Sequence, residues 1–142
     1  MYETILFPTD GTAHADTVAE HAIDIAATRD ATLHVFSVAD DRAFLILSED
    51  RIDDVRMDLR ARAREATDDA ATMALDRDVT VETAVDDGRP AECILEYADR
   101  VDADLIVMGT SGDDYERNVV GSVSQQVVRT SPVPVLTVGP DA

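Results

Sequence analysis

The sequence predicts one α/β domain in which a doubly wound parallel sheet of five strands carries helices on both faces. Three observations lead there. Short apolar, β-branched runs alternate along the chain with segments of helical periodicity, the pattern of successive βαβ units. The run from Leu105 to Met108 is apolar at every position, so both sides of that strand are covered, as in the middle of a parallel sheet. The chain has 142 residues, enough for one self-sufficient core and too few for two, so residues 1–142 are expected to form a single unit.

Residues 4–8 are a short apolar run, the expected strand 1. Val18, Ala22, Ile25 and Ala26 recur at helical spacing and place helix 1 at about residues 12–29. Residues 32–38 read as strand 2. The stretch 39–48 contains Phe44, Leu45, Ile46 and Leu47 without a clear period; it suits a helix lead-in covering the sheet edge, with a lid or a dimer contact as alternatives. Ile52, Val55, Leu59, Ala63, Ala66, Ala70 and Met73 follow at steps of three and four, about six turns of a helix 2 that is the longest element. Its other face mixes Arg56, Arg60, Arg62 and Arg64 with Asp53, Asp58, Glu65, Asp68 and Asp69, and is expected to be solvated, with an Asp58 to Arg62 pair four residues apart. Alternation over residues 79–85 predicts strand 3 at a sheet edge.

The turn Asp86-Asp87-Gly88-Arg89 leads to Pro90, suited to a first helical position, and Ile94, Leu95, Ala98 and Val101 give helix 3 its core face. After strand 4 come Gly109 and Gly112, then Gly121 and Ser122 opening helix 4. Ser122 as N-cap with Gln125 three residues on has the form of a capping box. Pro132 and Pro134 flank Val133 in strand 5; proline cannot donate to a sheet ladder, so strand 5 is expected at an edge. Its Val133, Val135, Leu136 and Val138 have no guarding lysine, an exposed row that a twofold partner would cover.

The chain carries 30 Asp and Glu against 12 basic residues, all of them arginine, for a formal net charge of -18. Charge of that sign repels phosphate backbones and anionic lipids, so neither nucleic acid nor a membrane surface is an expected partner. The carboxylates are spread along the chain, which argues for a globular surface coated in acid and not for a disordered tail. Together with the absence of lysine, this suits a salt-rich cytoplasm, where a Debye length of about 3 Å at molar salt screens the repulsion; an ordinary acidic protein is the alternative. Cys93 is alone, which leaves no internal disulfide and no cysteine-based zinc site, and its expected place is a buried helix position. The opening residues lack a basic segment followed by an apolar one, and no apolar run nears the roughly 18 residues of a membrane span, so a cytoplasmic location is expected.

Two stretches carry a family resemblance over essentially the whole length. The first is Ile5-Leu6-Phe7-Pro8-Thr9-Asp10-Gly11; the second is the strand ending in Gly109, with Gly112, the spacer 113–120, Gly121-Ser122, a helix and a last strand. They resemble the universal stress protein family, with its Pro-x-Asp-Gly turn and its Gly-x-x-Gly, spacer, Gly-Ser arrangement. The acidic surface resembles that of proteins from salt-loving archaea. The resemblance implies a Rossmann-like fold of the adenine nucleotide alpha hydrolase type, strand order 3-2-1-4-5, and a homodimer pairing strand 5 with its own copy. One departure stands out: the spacer has eight residues and no glycine, where nucleotide-binding members have nine.

In an open parallel sheet a ligand binds beyond the carboxyl ends of the strands, where the strand order reverses. With the implied order this point lies between strands 1 and 4, so Pro8, Thr9 and Asp10 face Met108, Gly109 and Gly112. The resemblance implies ATP as ligand, with Asp10 near the base or ribose, Val38 against the adenine, and Gly109, Gly112, Gly121 and Ser122 around the phosphates, Val123 donating a backbone N–H. Glycines permit close approach, and a helix N-terminus carries about half a positive charge toward an anion. The alternative is that the glycines only make the turns of the fold, and that Asp10 only caps the entry to helix 1. Asp113 and Asp114 put two carboxylates beside the phosphate position, so bound ATP is expected to require a divalent cation such as Mg2+. His14, His21 and His34 lack the spacing of a metal site, and no Ser-His-Asp set or P-loop is present, so turnover is expected to be at most slow ATP hydrolysis.

Overall fold

The structure is a computed structural model and describes residues 1–41, 49–110 and 121–139, with residues 49 and 50 by backbone only. Among the described residues nine elements follow in chain order: β1 (Thr4–Pro8), α1 (Ala15–Arg29), β2 (Thr32–Asp40), α2 (Glu49–Asp76), β3 (Val81–Gly88), α3 (Pro90–Arg100), β4 (Leu105–Gly109), α4 (Ser122–Thr130) and β5 (Val135–Val138). The strands form one sheet in the order β3-β2-β1-β4-β5, every adjacent pair parallel. Sheet type and strand order agree with the sequence-based expectation. β5 is an edge, as expected, although Pro132 and Pro134 lie before the strand and not in it.

The period-two alternation of strand side chains divides the core into two layers. Ile5, Phe7, Leu33, Val35, Leu105 and Val107 pack against Val18, Ala22, Ile23 and Ala26 of α1 and Ala70 and Ala74 of α2. Leu6, Phe36, Ile106 and Met108 pack on the opposite side against Ala91, Ile94 and Ala98 of α3 and Val127 of α4. Tyr97 of α3 stacks on Phe36 with ring centroids 4.4 Å apart. α2 meets the sheet with alanines at Ala63, Ala66, Ala70 and Ala74, small residues that let a long helix lie close.

Three helix exits share one device. Asp30, Asp78 and Asp102 adopt left-handed backbone angles (φ 55, 58 and 55), a conformation aspartate tolerates better than most residues. In each, the next residue donates its N–H five residues back: Ala31 to Ala26 O, Val79 to Ala74 O and Ala103 to Ala98 O. That next residue is buried in every case, so the turn drops the chain directly into a strand. Asp104 then joins two strands, one carboxylate oxygen accepting from the amides of Glu3 and Thr4 at 2.9 and 3.0 Å.

Several boundaries and contacts differ from expectation. α1 begins at Ala15, because residues 10–14 are taken up by a turn closed by the Asp10 side chain. β5 begins at Val135, since Pro134 meets β4 only through its carbonyl, which accepts from Ile106 N. Ser122 is not the N-cap of α4; Gly121 is, at φ -69 and ψ 162, and no side-chain cap hydrogen bond is made among the described residues. Arg60 is exposed and Arg56 half-buried, and both also pair with a carboxylate on the sheet. Arg60 grips Asp87 of β3 with Nε and Nη2 at 2.7 and 2.5 Å, and Arg56 Nε lies 3.8 Å from the same carboxylate. The Arg60 hydrogen bond holds the Asp87 carboxyl below its ordinary pKa, against a smaller upward push from burial. Residues 42–48, Gly112, Asp113 and Asp114 lie outside the described residues.

Candidate functional site

The chain runs β1, β2, β3 toward one edge of the sheet, then returns past β1 to add β4 and β5 on the other side. The loops leaving β1 and β4 therefore part in opposite directions, and a crevice opens above the carboxyl ends of these strands. It has a volume of about 500 Å³.

Its floor and one wall come from Phe7, Pro8, Thr9 and Asp10 at the end of β1. The Asp10-Gly11 turn is fixed by local chemistry: Asp10 Oδ1 accepts from Thr12 N at 3.0 Å and from Thr12 Oγ1 at 2.8 Å, leaving Oδ2 without a partner among the described residues. Gly11 makes the turn at φ 72, and a Cβ there would stand 3.1 Å from that of Ala66 on α2. Thr9 is clamped to β2, its N–H on Phe36 O at 2.8 Å and its carbonyl accepting from Ser37 Oγ at 2.7 Å. Val38 and Asp40 of β2 and Pro90 and Ile94 of α3 continue this side.

The opposite wall is Met108, Gly109 and Thr110, followed by Gly121, Ser122, Val123 and Ser124 at the start of α4. Thr110 O accepts from Gly121 N and from Ser124 Oγ, the latter at 2.5 Å, which pins the helix start beside the strand end. The first N–H groups of a helix have no partner inside it. With no side-chain cap among the described residues, the amides of Ser122, Val123 and Ser124 have no described partner and lie at the crevice. Thr110 Oγ1 is buried there without a hydrogen-bond partner among the described residues. An uncapped helix start, close strand ends and an unused hydroxyl together form a site suited to an anionic ligand.

The model of the universal stress protein family matches residues 1–139. The chain belongs to the universal stress protein family. It is 36% identical over 140 residues to universal stress protein MJ0531 of Methanocaldococcus jannaschii, covering 97% of this chain and 82% of that one. Among solved structures it resembles that of hypothetical protein MJ0577, with a TM-score of 0.88, 25% identity and coverage of 100% and 99%. It also resembles a universal stress protein solved in complex with cAMP, with a TM-score of 0.74, 28% identity and coverage of 99% of each chain.

In this universal stress protein the crevice gathers Pro8, Thr9, Asp10, Val38, Met108, Gly109, Gly121, Ser122 and Val123, the residues singled out from sequence apart from Gly112. It also gathers residues that sequence reasoning passed over. His14, buried at the entry to α1, lines the crevice and places Nε2 3.1 Å from Val138 O of β5. A carbonyl only accepts, so Nε2 carries the proton. His14 lies four residues before Val18, on the sheet-facing stripe of α1, and that spacing is the signal that could have found it. Asp40, Thr110 and Ser124 had no comparable signal. Among the described residues no arginine lines the crevice, and no His, Cys, Asp and Glu group forms a metal site. No described helix is long and apolar enough to cross a membrane.

Proposed function

We propose that this universal stress protein is a dimeric, ATP-binding stress-response protein of the cytoplasm. The observation that carries the reading is the uncapped start of α4, whose amides line the crevice between the ends of β1 and β4. Gly109, Gly121, Ser122 and Val123 would receive the phosphates, with Gly112 from the loop between them, while Asp10 and Val38 hold ribose and base. The similar protein bound to cAMP supports an adenine nucleotide as the ligand class. A volume of about 500 Å³ is within the range of small-molecule sites. Asp113 and Asp114 would make Mg2+ a required companion of the triphosphate, since a divalent cation would offset the charge of carboxylates and phosphates together. The dimer forms through the edge of β5, where Leu136 is exposed and Val133, Val135 and Val138 are half-buried. The net charge of -18 without lysine favours a cytoplasm rich in salt.

Mass spectrometry of small molecules released from the purified, denatured protein is the direct test, and an adenine nucleotide at near-stoichiometric yield is the expected result. Calorimetry with ATP then separates the role of the metal. Binding should require Mg2+ and lose that requirement in Asp113→Asn/Asp114→Asn. A second reading, an interaction module of the same fold that leaves the crevice without ATP, is favoured by the presence of Asp10 and Asp40 and the absence of arginine among the described crevice residues. It is the outcome if no nucleotide is released and ATP fails to bind in any salt, with or without Mg2+.

A further inference from the structure

A strongly negative protein here faces a negative ligand, and the described groups placed to hold that ligand are neutral. They are the amides of Ser122, Val123 and Ser124 at the start of α4 and the hydroxyl of Thr110, buried without a hydrogen-bond partner among the described residues. Among the described residues no arginine lines the crevice, and the chain has no lysine. Around the site stand 30 Asp and Glu against 12 arginines, a net charge of -18. The two influences on a phosphate differ in range. A hydrogen bond acts at about 3 Å, no farther than the Debye length of about 3 Å at 1 M salt, so added ions do not come between donor and phosphate. Repulsion from carboxylates spread over the surface reaches farther at low salt, and it is cut off as the Debye length falls from about 10 Å at 0.1 M.

Resting on the nucleotide reading above, we propose that salt gates the crevice: affinity for a phosphorylated nucleoside rises with ionic strength, so that a rise in salt loads the site. A phosphate site built on lysine and arginine side chains responds the other way, because salt competes with the pairing of cation and phosphate. In this chain salt removes a repulsion and leaves the contacts standing. Coulomb repulsion is proportional to the charge on the ligand. The gain is therefore greatest for a doubly charged nucleotide, smaller for a singly charged one and absent for the neutral nucleoside.

The test is calorimetry on the full-length protein at pH 8, from 0.1 M to 1 M potassium chloride at one low, fixed Mg2+ concentration, with circular dichroism verifying the fold at each salt. Three probes form a ladder of charge: adenosine 5′-monophosphate, doubly charged at this pH, cAMP, singly charged, and adenosine, neutral. The Kd of the monophosphate should fall at least about fivefold across the range, that of cAMP by a smaller factor, and that of adenosine by less than about twofold. Where adenosine binds too weakly to measure, the larger response of the monophosphate than of cAMP decides. Monophosphate binding that weakens or stays level as salt rises overturns the proposal and leaves nucleotide binding intact. An equal gain for every probe overturns it too, tracing the effect to the fold or to salting-out. Failure of both nucleotides to bind at every salt removes the proposal together with the nucleotide reading, so the two failures are told apart.

Discussion

Gly88 ends β3 at φ 147, and a Cβ built on it would stand 2.7 Å from the Sγ of Cys93. Non-bonded heavy atoms settle at about 3.5–4.0 Å, so Gly88→Ala drives a methyl group about 1 Å too far into a thiol that is only 9% exposed. Two costs arise. Holding an L-residue in this region of backbone space costs about 1–3 kcal/mol, and overpacking a close-packed site costs about 1–3 kcal/mol more. Their sum, near 4 kcal/mol, lowers Tm by roughly 8–16 °C at about 2–4 °C per kcal/mol for a domain of this size.

A double-mutant cycle separates the two costs. Cys93→Ala removes the sulfur and leaves the backbone of Gly88 as it is. In Gly88→Ala/Cys93→Ala the overlap is gone and only the backbone strain remains, so the double variant should be about 1–3 kcal/mol more stable than additivity predicts. Thermal and urea unfolding followed by circular dichroism at one high potassium chloride concentration give the four stabilities. A coupling below about 0.5 kcal/mol would falsify the steric argument, and a Gly88→Ala variant as stable as the parent would remove the strain argument as well. The result bears on the crevice because Gly88 delivers the chain to Pro90 and Ile94, which form part of its wall.

Burial first, and then the surrounding carboxylates of Asp86, Glu96, Asp41 and Glu92, push the Cys93 thiol up to about 11, so a disulfide reagent at pH 8 should modify it rapidly only after denaturation; fast reaction of the folded protein would contradict this. Arg60→Gln should destabilise the protein at neutral pH. Because Arg60 holds the Asp87 pKa below its unfolded value of 3.8, that stabilisation is present above about pH 4 and is lost as the carboxylate protonates, so the difference in stability between parent and variant should vanish in acid. A difference independent of pH would refute the ion-pair account. Tm should rise with potassium chloride from 0.1 M to 3 M, because the Debye length falls from about 10 Å toward a few ångströms and screens the acidic surface; a flat profile argues against salt adaptation. Val135→Asp should shift sedimentation in high salt from dimer to monomer, and unchanged sedimentation would place the interface elsewhere.

The sheet was legible in the sequence because burial leaves a direct trace in it. Leu105 to Met108 could be apolar on both pleat faces only in a central strand, and Pro132 and Pro134 could stand beside Val133 only where a ladder is not continued. The crevice was legible to the extent that backbone geometry demands a particular residue, as at Gly11 with φ 72. Polar side chains were harder to place. Ser122 and Ser124 are alike in sequence, yet Ser122 is exposed while the buried Ser124 turns its hydroxyl back to Thr110 O and Gly121 O. Which of two serines serves a helix start depends on where the preceding strand end lies, and local sequence does not encode that. The pairing of Arg56 and Arg60 with Asp87 was missed for a related reason: Asp87 is more than two dozen residues away, and only the packing of α2 across β3 brings them together.

His14 exposes the same limit and shows what the fold makes of it. The carbonyl of Val138, the last residue of β5, receives two donors, His14 Nε2 at 3.1 Å and Thr110 N at 3.2 Å. One donor belongs to the entry of α1 and the other to the exit of β4, and both residues line the crevice. A single acceptor on the edge strand thus fixes two walls of the site, and it can do so only because β5 lies beside β4 in register, with Val138 opposite Gly109. The short edge strand is therefore more than a border of the sheet. Its position sets the separation between the α1 entry and the β4 exit, so Val138, one of the residues assigned to the proposed dimer edge, also helps hold the crevice to its width.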